Sequence, residues 1–163
     1  SGKTSFTMAL CKELAKFGKV AYDSLEEGFS LTMKNALVKA GMQDVARRFV
    51  LLCEGMEELD ARLSRRKSPD IVVIDSFQYT QMSFKDYQDF KDRHRDKLLI
   101  FISQADGNKP AGRTAVSVMY DAALKIWVEG YRAISKGRYF GNRGYYTIWE
   151  ERANIYWGDK PKE

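Results

Sequence analysis

Hydrophobic positions in this chain follow two kinds of spacing. Residues 1–17, SGKTSFTMALCKELAKF, place Phe6, Leu10, Leu14 and Phe17 three and four apart, the period of an amphipathic helix, and Gly18 closes it. KVAYDSL then reads as a short strand and FSLTMKNALVKAG as a second helix, ended by Gly41. RFVLLCE is a compact apolar run, and GMEELDARLSRRKS a third helix with the basic C-terminal end that the helix dipole favours. In PDIVVIDS, Pro69 opens a β-favouring apolar run that ends on an aspartate. A polar helix, SFKDYQDFKDRHRD, precedes another apolar run, KLLIFISQ.

Continuous apolar runs divided by helices predict strands buried on both faces, the signature of an α/β fold with a mostly parallel sheet flanked by helices. Beyond Gln104 the pattern changes. ADGNKPAGRTAVS, rich in Gly, Asn, Pro and basic residues, predicts a mobile loop or short helix. ALKIWVEG, YRAISKGRYFG, YYTIWEE and NIYWG, separated by glycines, predict antiparallel strands that continue the sheet at its C-terminal end. With no internal repeat or low-complexity tract, residues 1–163 read as a single domain.

Composition narrows the function classes. The chain is 44% hydrophobic and 30% charged, which is globular rather than disordered, and no apolar run approaches the ~18 residues of a membrane span. The start lacks a charged segment followed by an apolar one, so no secretory signal is expected. Cys11 and Cys53 lack metal-ligand spacing and read as small buried residues in a reducing, cytoplasmic compartment. His94, the one histidine, reads as a solvated helix end without a catalytic part; a zinc site or a Ser-His-Asp triad is not expected. The net charge of +5 permits attraction to polyanions without identifying one.

Ser1, Gly2, Lys3 and Thr4 would complete a phosphate-binding loop of the form G-x-x-x-x-G-K-[ST]. Its backbone N–H groups wrap the phosphates of ATP, its lysine reaches the outer ones, and its hydroxyl binds Mg²⁺. The first glycine of that loop and the strand before it do not stand in the sequence, so residues 1–163 alone are expected to bind nucleotide weakly or not at all. Three other residues fit the same chemistry. Asp75, at the tip of a buried strand, suits the water shell of Mg²⁺ opposite Thr4. Glu26, in the YDSLEEG segment, would sit at the carboxyl edge of the sheet, where it could polarise the water attacking the γ-phosphate. Glu27 cannot point inward alongside it and reads as a solvated loop charge or a helix N-terminal acid. Gln104, at the end of KLLIFISQ, could hydrogen-bond the γ-phosphate.

The set SGKT, YDSLEEG, IVVIDS and ISQ, in this order and at these intervals, resembles the RecA-like ATPases. It is most similar to the RadA/Sms recombination proteins and the DnaB-type replicative helicases, and LAKFGKVAYDSLEEG looks especially like theirs. The resemblance implies a RecA-like P-loop core without its first strand, with Glu26 as catalytic base and Asp75 serving Mg²⁺. Gln104 would couple nucleotide state to DNA-binding loops. It further implies that Lys136 and Arg138 reach a neighbouring subunit's ATP in a homo-oligomeric ring or filament, although Tyr139 separates Arg138 from Phe140 and Gly141 where the family joins them. FQYTQMSFK and GNKPAGRT occupy the places of the two DNA-contacting loops. Lys109 and Arg113 would then suit the phosphates of single-stranded DNA, and Phe77 and Tyr79 could stack on bases, although aromatic residues after a buried strand are more often core or subunit-contact residues. Asp121 resembles a structural acid.

The expected function is therefore an ATPase core that couples hydrolysis to single-stranded DNA binding or translocation, in recombination or in replication. The alternatives are a nucleotide-gated oligomeric regulatory module with little turnover, similar to KaiC, and a small-molecule P-loop kinase. The kinase would need an arginine-rich lid that the late strands do not plainly supply.

Overall fold

The computed structural model describes residues 2–137 and 144–158. Two compact units emerge: one is Leu10–Asp121, the other joins the N-terminal residues through Ala9 to the chain from Ala122 onward.

The larger unit is the α/β part. Its four parallel strands are β1 (Val20–Ser24), β2 (Phe49–Leu52), β3 (Ile71–Asp75) and β4 (Leu98–Ile102), in the order β2-β1-β3-β4. The register sets Val20 beside Ile71 and Ser24 beside Asp75, so β1 and β3 end together. Every residue of β1 and of β3 is buried, as the apolar run of β3 predicts; in β1 the burial extends to the polar Asp23 and Ser24. Helices α2 (Leu31–Lys39), α3 (Met56–Leu63) and α4 (Phe84–Arg93) carry the three connections, and α5 (Arg113–Asp121) comes after the last strand. Ala21, Leu52, Val72 and Ile74 pack with Leu59 and Leu63 of α3 and Phe90 of α4. A second cluster joins Phe77, Tyr87, Ala115 and Val118, and Tyr87 and Phe101 meet edge to face at 5.5 Å. Of the two places open to Phe77, base stacking or the core, the fold gives it the core, where it is 4% exposed; Tyr79 is exposed.

Helix α1 (Lys3–Leu14) corrects the expected apolar stripe. Its buried positions are Thr7, Met8 and Cys11, continued by Ala15, whereas Phe17 lies beyond the helix and is 81% exposed. Small and flexible side chains let a helix approach closely, and that decides the inner face over sheer apolarity. Burial pushes the Cys11 thiol up to about 12, so it is inert; Cys53, also expected inside, is exposed. His94 is buried rather than solvated: it ends α4, meets the Phe90 ring at 4.8 Å, and sets Nε2 2.6 Å from Asp60 Oδ1. Burial opposes ionisation of Asp60, but hydrogen bonds from His94 and Arg93 outweigh it and hold the carboxyl below its ordinary range.

Residues after Gln104 form both a hairpin and a helix. Strands β5 (Ala105–Asp106) and β6 (Lys109–Pro110) pair through a turn at Gly107 (φ +63°), and α5 follows. Asp121 accepts from Tyr87 at 2.7 Å and Lys91 at 2.6 Å, tying the end of α5 to α4.

The smaller unit holds the antiparallel sheet of β7 (Leu124–Glu129), β8 (Arg132–Gly137) and β9 (Tyr145–Thr147), with α6 (Glu150–Trp157). The strands were expected to extend the parallel sheet; they form a three-stranded sheet of their own. NIYWG was expected as a strand and is the second half of α6. Glu150 and Glu151 suit the positive end of a helix dipole, and Ala153, Tyr156 and Trp157 recur at helical spacing. Among the described residues no helix is long and apolar enough to cross a membrane.

Candidate functional site

The carboxyl edge of the parallel sheet gathers Glu26, Asp75 and Gln104. Because β1 and β3 end in register, the backbone beyond β1 folds onto the last residue of β3: Leu25 and Glu26 donate their N–H groups to the Asp75 carbonyl at 2.8 and 3.2 Å. The turn closes where Gly28, at φ +59°, donates to the Ser24 carbonyl at 3.0 Å. The exposed Glu26 side chain is thereby brought over the ends of β3 and β4. Ser76 Oγ donates to its Oε2 at 3.0 Å, and Gln104 Nε2 to its Oε1 at 3.1 Å. Each carboxylate oxygen takes one fixed donor and keeps a second acceptor site, so the group is aimed and can still receive a proton or orient a water molecule.

Asp75 is 8% exposed, and its Oδ2 accepts the Tyr22 hydroxyl from the neighbouring strand. Burial, together with the adjacent Asp75 charge, pushes the Tyr22 hydroxyl well above its ordinary range, so it stays a donor. No group of three His, Cys, Asp or Glu side chains suited to a metal occurs among the described residues. A carboxylate such as Asp75, in the larger unit, and a hydroxyl such as Thr4, in the smaller, are each donors of the kind Mg²⁺ accepts beside substrate phosphates and water.

Asp23 lies on the opposite face of β1 from Tyr22 and is wholly buried. Its Oδ1 accepts the Glu54 N–H at 2.9 Å, and its Oδ2 has no partner among the described residues. Burial chiefly pushes its carboxyl up to about 6.

The other expected residues fall elsewhere. Gly2 (φ +89°), Lys3 and Thr4 stand at the start of α1 in the smaller unit, where a Cβ on Gly2 would come within 3.2 Å of Tyr131 and 3.3 Å of Ile148. The first N–H groups of this helix are suited to an anion. Lys136, also in the smaller unit, is exposed on β8, paired with Lys125 and 6.0 Å from the Trp127 ring centre. Ser1 and Arg138 lie outside the described residues. Lys109 is exposed on the β5–β6 hairpin, and Arg113 is exposed at the first position of α5.

Sequence reasoning passed over Ser76 as a ligand of Glu26 and did not weigh Gln78. Gln78 makes three hydrogen bonds with the residues that follow β4. Ser76 was legible in principle, as a hydroxyl directly after a strand-end acid. Gln78 carries no local signal, because its partners are 25 and more residues away. Compared with protein-family models the chain finds no match, and compared with curated proteins it finds none either.

Proposed function

We propose that this chain is the ATPase core of a RecA-like protein that couples ATP hydrolysis to binding or moving along single-stranded DNA. The observation that carries the reading is the Glu26 carboxylate, held at the carboxyl edge of a parallel sheet by Ser76 from the end of β3 and Gln104 from the end of β4.

Glu26 takes the proton of the water that attacks the γ-phosphate, and its two donors fix the direction from which it does so. Gln104 senses the γ-phosphate through the same carboxamide. Lys3 reaches the outer phosphates, while Thr4 and Asp75 are the residues that would hold Mg²⁺, whose bound charge neutralises the phosphate oxygens. Lys136 and Arg138 complete a neighbour's site in a homo-oligomer, and Lys109 and Arg113 contact DNA phosphates.

The test is ATP turnover by the full-length protein, with and without single-stranded DNA. Glu26→Gln is expected to lower kcat by about a hundredfold or more, as loss of a general base does, with ATP binding kept. Absence of turnover in the unaltered protein, or full activity in Glu26→Gln, overturns the enzyme reading. Negligible turnover with ATP-dependent assembly would favour the regulatory alternative.

A further inference from the structure

Directly after β3, the turn Phe77–Thr80 brings the Gln78 side chain to the end of β4. Its Oε1 accepts the Gln104 N–H at 3.0 Å, and its Nε2 donates to Ser103 Oγ at 2.8 Å and to the Ala111 carbonyl at 2.9 Å. The Gln104 carbonyl is held in turn by Ala111 N–H at 2.8 Å and Ser103 Oγ at 2.9 Å. The peptide on either side of Gln104 is therefore fixed, and the chain between Gln104 and Ala111 is the β5–β6 hairpin that carries Lys109. Gln78 closes the neck of that hairpin. The residue whose backbone it holds is the one whose side chain reaches Glu26.

We propose that Gln78 is a positioning residue that sets Gln104 against Glu26 and makes the hairpin of residues 105–110 and the Glu26 carboxylate move as one. The proposal rests on the reading of Glu26 as the catalytic base. The hydrogen bonds supply the physical reason. Without the Gln78 carboxamide the Gln104 N–H and the Ala111 carbonyl both lose their partner, and the Gln104 peptide is released from one side. A displaced peptide swings the carboxamide at the end of its side chain, and misplacing a group at a reaction centre by about 1 Å can cost ~10²-fold in rate. In the other direction, a phosphate strand held at Lys109 pulls on the hairpin, and the pull arrives at Glu26 through Gln104.

Two substitutions separate positioning from mere packing. Gln78→Met keeps length and removes all three hydrogen bonds; Gln78→Glu keeps the acceptor for Gln104 N–H and removes both donors. Amide hydrogen exchange on the full-length protein is the first readout. Gln78→Met is expected to speed exchange at Gln104 by about three- to tenfold, the usual net worth of one hydrogen bond, while Gln78→Glu leaves it protected. Coupling is the second readout. Glu26→Ala should change exchange at Ala111 in the unaltered background and leave it unchanged in Gln78→Met. The third is kinetic, a loss of kcat in Gln78→Met at unchanged KM for ATP. Unchanged exchange at Gln104 in Gln78→Met, or an equal effect of Glu26→Ala in both backgrounds, overturns the proposal. If the unaltered protein shows no turnover, the ATPase reading fails, while the two exchange measurements still decide the role of Gln78. If Gln78→Met does not fold, Gln78→Glu decides through its lost bond to the Ala111 carbonyl: a weaker effect of Glu26→Ala on Ala111 exchange than in the unaltered background supports the proposal, and an equal effect overturns it.

Discussion

Ser76 Oγ donates to Glu26 Oε2 across 3.0 Å, joining the first residue beyond β3 to the loop beyond β1. Ser76 is itself buried, so the hydroxyl is a fixed donor rather than one that competes with water. Ser76→Ala frees one oxygen of the carboxylate and leaves Gln104 as its remaining side-chain donor. The expected outcome is a fall in kcat of roughly ten- to a hundredfold, from the loss of one hydrogen bond to a charged group, with KM for ATP little changed. Steady-state kinetics checks it, and a denaturant midpoint within error of the unaltered protein shows that the effect is on the site.

Asp23 gives the chain a pH dependence of definite sign. Burial, with smaller help from Glu54 and Glu58 and against the Glu54 N–H bond, raises its carboxyl from 3.8 to about 6 on folding. Between those values the folded protein binds the proton and the unfolded chain does not, so stability falls as pH rises through that window. The favourable contribution is fully present below pH 3.8 and gone above about pH 6. Asp23→Asn cannot ionise and should flatten this slope. Relative to the unaltered protein it is expected to gain stability between pH 4 and pH 7 by on the order of 2 kcal/mol, the size that a shift of this kind implies. Urea unfolding at a series of pH values measures the difference, and a pH-independent difference would show that Asp23 does not titrate there.

The β7–β8 hairpin turns on two residues with positive φ, Gly130 at +53° and Tyr131 at +60°, the backbone of a type I′ connection. A Cβ on Gly130 would lie 2.2 Å from the Tyr156 ring, whose hydroxyl donates to Glu129 at 2.9 Å. Trp157 Nε1 also donates to the Gly130 carbonyl at 3.1 Å. Gly130→Ala therefore meets both a disfavoured backbone and an overlap with a tethered ring. It is expected to destabilise the smaller unit by about 2 kcal/mol or more, read as a drop in Tm and a change in tryptophan fluorescence.

The four parallel strands were legible as short runs rich in apolar residues, but only the inner pair, β1 and β3, is buried at every position, whereas β2 and β4 at the edges of the sheet are partly exposed, Val50 and Leu98 among them. Glu26, Asp75 and Gln104 were legible as polar residues at the ends of such runs. The inner face of α1 was not, since Phe6, Leu10 and Leu14 offer a stronger apolar stripe than Met8, Cys11 and Ala15. The fate of NIYWG was not either: a few apolar residues between glycines fit a strand or a helical turn equally, and the acidic pair before them was the only cue.

By itself the sequence determined the four strands of the parallel sheet, the helices between them, and the polar residues that stand at their ends. The tertiary structure alone decided that β1 and β3 end in register, so that the loop after one lies on the tip of the other. It also decided that Ser76 and Gln104 converge on one carboxylate, and that Gln78 locks the peptide behind it. The division is physical. Secondary structure follows from spacing within a few residues, whereas Gln104 and Glu26 are 78 residues apart, and only packing of the sheet brings their polar atoms within reach.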